Sequence, residues 1–157
     1  MQARIKHPVA LIPEAMTTLQ ALSGLPEKAG LARGFIELVH LRCSQINGCS
    51  VCLDMHWRFA KDAGESLERL FAVAAWKDAP CFSDAERAAL ALAEAVTRLS
   101  DRNDPVPDDV WNAAAKHFGE HELAALLLAI ATINVWNRLN VATRQVAGEW
   151  VKANAKK

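Results

Sequence analysis

The stretch GFIELVHLRCSQINGCSVCLDMH, residues 34–56, decides how the chain folds. An apolar-rich run ends at Asn47-Gly48, and a second run begins at once with Cys49. Asn and Gly both tolerate the left-handed backbone used at helix C-termini, so the pair predicts a helix that stops near Ile46 and a chain that reverses. With Cys49 in the first turn of the next helix, Cys52 falls at i+3 and His56 at i+7, all on one face. At 1.5 Å per residue, His56 lies roughly 12 Å from the turn and Glu37 roughly 15 Å from it on the preceding helix. An antiparallel pair therefore brings the two nearly level. Glu37 interrupts the apolar run Phe35-Ile36-Glu37-Leu38-Val39. A carboxylate in that setting needs a partner, and His56 is the candidate.

Helical punctuation continues outward in both directions. Pro13 opens a first helix and Gly24 ends it. Pro26 and Glu27 open the second, which runs to about Ile46, with Gly30 and Gly34 weakening its early part. The third starts near Cys49 and ends at Gly64, and the fourth covers roughly 66–76. Ser83-Asp84-Ala85-Glu86 matches a capping box and opens a fifth, to about Ser100. DRNDPVP is a loop. Pro107, Asp108 and Asp109 open a sixth helix, where acids suit the dipole. Gly119 separates it from a seventh, Glu120 to about Ala147. The expectation is a single all-α domain over residues 1–157, a helical bundle of about seven helices with short connections.

Composition agrees with that class. Hydrophobic residues make up 52% of the 157, and most of the excess is alanine and leucine, both good helix formers. Tyrosine is absent, and runs of valine and isoleucine are rare, which disfavours a large sheet. The 18 basic and 18 acidic residues balance, so no basic face for nucleic acid is expected. No secretory signal and no 18-residue apolar segment is evident; the richest run, 123–135, is too short to span a bilayer and reads as a buried helix. A cytoplasmic protein without a membrane partner is expected. Thiols there stay reduced by default, so a close Cys pair points to redox or metal chemistry before a structural staple.

The constellation has chemical consequences. A thiol near a helix N-terminus meets free backbone N–H groups and the positive dipole end, which favour the reactive thiolate. A Cys-x-x-Cys pair can form and break a disulfide. His56, one turn below Cys52, can accept its proton, and Glu37 can orient His56. A Glu–His–Cys relay beside a second thiol is what peroxide reduction requires. Other readings stand beside it. The two cysteines could simply pack, as cysteines do in apolar helices. Zinc takes four ligands, whereas the local set is two Cys and one His, with Cys43 six residues back across the turn. A thioredoxin-like site would need a strand before the motif.

Glu37, Cys49, Cys52 and His56, set in LRCSQINGCSVCLDMH, resemble the alkylhydroperoxidase D (AhpD) core of the carboxymuconolactone decarboxylase family. Its pattern is a Glu twelve residues before the first Cys, a Cys-x-x-Cys, and a His four residues after the second. GESLERLFAVAAW, PCFSDAERAALALAEAVTRLS, VPDDVW and AIATINVWNRLNVA also resemble stretches of small AhpD-like proteins. The resemblance implies an all-helical homo-oligomer, a trimer or a hexamer, and a peroxidase with no bound cofactor and no metal. It implies Cys52 as the peroxidatic thiol, activated by His56 and Glu37. It implies Cys49 as the more exposed resolving thiol, reached by an external dithiol reductant, lipoyl-type in one branch. Some members place a second His just before the second Cys; here that residue is Val51.

Two other enzyme and non-enzyme readings are a lactone decarboxylase, the activity that names the family, and a redox sensor in which Cys49–Cys52 switches an interface. Decarboxylation needs no cysteine pair, so the intact pair argues against it. Elsewhere, the apolar stripe Leu123, Leu127, Ile130 continues to Asn134 and Asn137, two amides that need partners. A structural amide network or a subunit contact is the expected answer, ahead of a role in lining or bracing the site beside Trp136. His40, three residues after Glu37 on the same side, is a substitute for the missing second His or a bystander. Trp57 packs or shapes the pocket. Cys43 and Cys81 are expected to pack as small apolar residues, and His117 and His121 to lie at the surface. The 152–157 tail is too short to indicate a partner.

Overall fold

The structure is a computed structural model that describes residues 2–101 and 103–149. The 152–157 tail lies outside the described residues. The elements are α1 (Pro8–Leu11), α2 (Pro13–Ser23), α3 (Leu25–Lys28), α4 (Arg33–Asn47), α5 (Ser50–Asp62), α6 (Leu67–Ala72), α7 (Asp84–Thr97), α8 (Asp108–Ala115) and α9 (Glu120–Thr143). One-turn 3₁₀ segments follow α6 and α7, at Val73–Ala75 and Leu99–Asp101. No strand occurs among the described residues.

Local chemistry explains most boundaries. Asn47-Gly48 ends α4 with Gly48 in the left-handed region at φ 66°. Gly64 does the same after α5, at φ 94°. The Ser83 hydroxyl accepts from the Glu86 backbone N–H while the Glu86 carboxylate accepts from the Ser83 N–H, a complete capping box for α7. The Glu122 carboxylate accepts from the Gly119 N–H at the start of α9.

The expected second helix is two. Helix α3 stops at Lys28, Gly30 turns left-handed at φ 99°, and α4 starts only at Arg33. The break at Gly30 separates the two pieces, and both pack on α9. The first helix is preceded by the extra turn α1, whose N-cap is the His7 ring. The seventh helix ends at Thr143, not Ala147, because Arg144 takes the left-handed conformation at φ 53°.

Helix α9 is the axis of the core, packed by α4, α7, α2 and α3. It is longer than the apolar run suggested and, by length and composition alone, passes as a membrane span. Half of that stretch is buried inside the protein, and Asn134, Asn137 and Asn140 lie on it, so its apolar face serves the core. One apolar cluster gathers Val39, Cys43, Leu92, Leu126, Ile130 and Ile133, together with Cys49 and Cys52. A second, with Leu38, Val73, Trp76, Phe82 and Leu90, covers the other side of α4 and α7. Helix α4 is thus covered on two sides, with α5 and α9 against it.

Candidate active site

The α4–α5 reversal builds the site. Cys49 is the N-cap of α5, and its sulfur accepts from the Cys52 backbone N–H at 3.3 Å. Cys49 and Cys52 are joined by a disulfide. Both are nearly inaccessible, at 1% and 2% exposure. The expectation that Cys49 is the more exposed therefore fails for the disulfide form. What distinguishes Cys49 is its position: it lines a cleft of about 390 Å³ with Gly48, Ser50, Val51, Asn140, Val141, Arg144 and Gln145. The left-handed turn at Arg144 brings the chain after α9 onto that cleft.

Glu37 and His56 meet as the antiparallel register requires. His56 Nδ1 lies 2.6 Å from Glu37 Oε2. Glu37 is 5% exposed, in the apolar run where the sequence placed it. Its other oxygen, Oε1, faces Arg33 Nε at 3.8 Å. The Phe59 ring packs edge-on against His56. A carboxylate on Nδ1 fixes the tautomer that leaves Nε2 free to accept a proton.

His40 belongs to the same cluster, which its place one turn from Glu37 signalled. Its Nδ1 is 4.0 Å from Glu37 Oε2, and its ring packs edge-on against His56 at 4.7 Å between centroids. It is 8% exposed, and neither ring nitrogen has a well-formed hydrogen bond. Burial, and then the neighbouring His56, push its pKa well below the ordinary histidine value, although a backbone group of Ala129 acts the other way. One potential ligand atom from each of Glu37, His40 and His56 lies within 4.8 Å of the others.

Asn140 and Arg33 did not stand out in the sequence. Asn140 Nδ2 lies 3.5 Å from Cys52 Sγ. The signal available was its spacing of three from Asn137, which continues the line of amides on α9. Asn134 and Asn137 form the expected network instead: the Asn47 amide donates to both, Asn137 donates to the Ser44 hydroxyl, and Asn134 donates to the Thr97 hydroxyl. This ties the end of α4 to α9. Cys43 is fully buried, His117 and His121 are exposed, and Trp57 is partly buried against the second apolar cluster, with the Arg58 guanidinium over its ring.

Residues 12–95 match the model of the carboxymuconolactone decarboxylase family. The chain belongs to that family. It is 33% identical over 142 residues to the uncharacterised protein YdfG of Bacillus subtilis, covering 90% of this chain and 95% of that one. Its structure matches that of a protein of unknown function from Agrobacterium tumefaciens, assigned without a demonstrated activity to antioxidant defence as an AhpD protein. The TM-score is 0.86 at 34% identity, covering 93% of this chain and 98% of that one. The debrominase Bmp8 shares the fold, with a TM-score of 0.80 at 18% identity, over 92% of this chain and 77% of its own. Proteins described by different chemistries thus share one helical frame, and the side chains of the site must carry the functional argument.

Proposed function

We propose that the protein is a thiol-dependent peroxidase that reduces hydrogen peroxide or small organic hydroperoxides through Cys52 and Cys49. The observation that carries this reading is the Cys49–Cys52 disulfide at the start of α5, one helical turn from a His56 held by Glu37. In the reduced protein His56 takes the Cys52 thiol proton, directly or through a water. The thiolate attacks the peroxide, an S–O bond forms as the O–O bond breaks, and the alcohol or water leaves with the proton. Cys52 is then a sulfenic acid. The Cys49 thiol attacks it, water is released, and the disulfide results. One peroxide consumes two thiols. The Asn140 amide beside Cys52 supplies a donor to the thiolate. An external dithiol enters the cleft, attacks the Cys49 sulfur and restores both thiols by exchange. Glu37 and His56 serve as relay residues, with no resident cofactor and no metal in the cycle. A reducing compartment such as the cytoplasm, a homo-oligomer, and a dithiol such as a lipoyl group as reductant complete the reading.

The test is the rate at which reduced protein consumes tert-butyl hydroperoxide, with thiols counted before and after. Two thiols lost per chain, and none in Cys52→Ser beyond the background of the other cysteines, is expected. Full turnover in Cys52→Ser would overturn the mechanism. Activity on a carboxylated muconolactone that survives replacement of both cysteines by serine would replace it with decarboxylation. Slow turnover with a large change of assembly on oxidation would replace it with a redox sensor.

A further inference from the structure

We propose that Glu37, His40 and His56 form a binding site for one divalent transition-metal ion, for which Zn²⁺ is the probe. Two imidazoles and one carboxylate are a ligand set that such ions accept, with a further position left for water. The three side chains come from two helices already packed against each other, so the ligands are gathered before an ion arrives.

His40 is the observation that points to a ligand. It is 92% buried, neither ring nitrogen has a well-formed partner, and its Nδ1 faces Glu37 Oε2 across 4.0 Å. That separation is too long for a hydrogen bond and close to the span of two ligand atoms on one ion. Ligands about 2.0–2.2 Å from a tetrahedral ion stand roughly 3.3–3.5 Å apart. Seating the ion therefore opens the 2.6 Å Glu37–His56 contact and closes the Glu37–His40 gap, each by less than about 1 Å. Arg33 opposes a cation electrostatically, but it faces Oε1, at 3.8 Å, and leaves Oε2 to the two histidines.

The proposal has a regulatory consequence. Zn²⁺ on Glu37 Oε2 and His56 Nδ1 displaces the proton that joins them, so an ion-loaded chain has no relay. Zn²⁺ uptake and peroxide reactivity exclude each other. That consequence rests on the peroxidase reading, whereas the binding itself does not.

The experiment is a calorimetric Zn²⁺ titration of the disulfide form, in which Cys49 and Cys52 cannot serve as thiolate ligands. X-ray absorption of the loaded protein supplies the identity of the ligands. One ion per chain, an all-nitrogen-and-oxygen shell with two imidazoles, and at least tenfold weaker binding in His40→Asn and Glu37→Gln are expected. His121→Asn, at an exposed histidine, should bind as the parent does. No saturable binding by the parent protein, a sulfur atom in the shell, or unchanged affinity in a folded His40→Asn overturns the site. Should either variant fail to fold, the parent's stoichiometry and absorption spectrum decide alone. If metal-free reduced protein ignores peroxide while the disulfide form binds the ion, the peroxidase reading falls and the site stands. If it reacts with peroxide while the disulfide form takes up no ion, the reverse holds.

Discussion

Glu37 Oε2 and His56 Nδ1 stand 2.6 Å apart across the α4–α5 pair, nineteen residues apart in sequence. The contact joins a buried carboxylate to the only ring it bonds at ordinary hydrogen-bond distance among the described residues. A hydrogen bond to Nδ1 orients the imidazole and holds the tautomer whose Nε2 can accept a proton from Cys52.

Breaking this relay should slow thiol oxidation without removing the thiols. His56→Ala should lower the second-order rate of peroxide-driven thiol loss by about 100-fold or more, the range for a positioned general base. Glu37→Gln keeps an acceptor but loses the charge, and about 10–100-fold is expected. Stopped-flow mixing of reduced protein with tert-butyl hydroperoxide gives both rates. Parent-like rates in both variants would remove Glu37 and His56 from the mechanism.

The amide network should hold the turn that places Cys49. Asn137 is fully buried, accepts from Asn47 at 2.8 Å and donates to Ser44 at 3.1 Å. Asn137→Ala leaves those partners short of a hydrogen bond, at a cost of about 1–3 kcal/mol. For a chain of this size that is a fall in Tm of roughly 2–12 °C. Thermal unfolding followed by circular dichroism measures it. An unchanged Tm would mean that water replaces the amide at no cost.

The α4–α5 pair was legible because every feature of it is local: an Asn-Gly stop, a cysteine at the first turn, and two polar residues at nearly the same height above the reversal. The capping box at Ser83 was legible for the same reason. The break between α3 and α4 was not, because Gly30 weakens a helix wherever it sits, and only packing against α9 decides that the chain turns there. His40 was ambiguous for a related reason. Its spacing puts it on the side of Glu37, but its proximity to His56 depends on how closely α4 and α5 approach. Asn140 lies 88 residues from the Cys52 sulfur it faces, and no local pattern encodes that pairing.

Acid should weaken the α4–α7 contact through Glu94. Burial pushes its carboxyl up, but the Trp76 indole N–H and the Arg42 guanidinium outweigh burial and hold the pKa below the ordinary 4.5. The two donors sit 2.7 Å from Oε1. A carboxyl whose folded pKa is depressed contributes stability that is present above 4.5 and lost as pH falls through the folded value. Glu94→Gln should therefore be less stable than the parent at neutral pH, with Arg42 left without its carboxylate partner, and should show a shallower loss below pH 4.5. Urea unfolding across that window tests it. Parallel pH profiles for the two proteins would show that Glu94 does not sense the acid.

The two cysteines outside the redox pair should differ in reactivity. Cys43 is fully buried on α4, and burial pushes its thiol pKa up to about 12 even though the Thr97 hydroxyl donates to its sulfur. Against an ordinary thiol near 9, its thiolate fraction at pH 8 is lower by about a thousandfold, and the reagent has no path to it. Cys81 is only partly buried. In the folded disulfide form, iodoacetamide should label Cys81 and leave Cys43 untouched. After reduction, Cys49, which lines the cleft, should join the labelled set, whereas Cys43 should react only on unfolding. Peptide mass spectrometry over a time course reads each site separately. Labelling of Cys43 at the rate of Cys81 in the folded protein would mean that α4 opens locally on the time scale of alkylation. The rigid α4–α5 frame assumed for the Glu37–His56 contact would then be wrong.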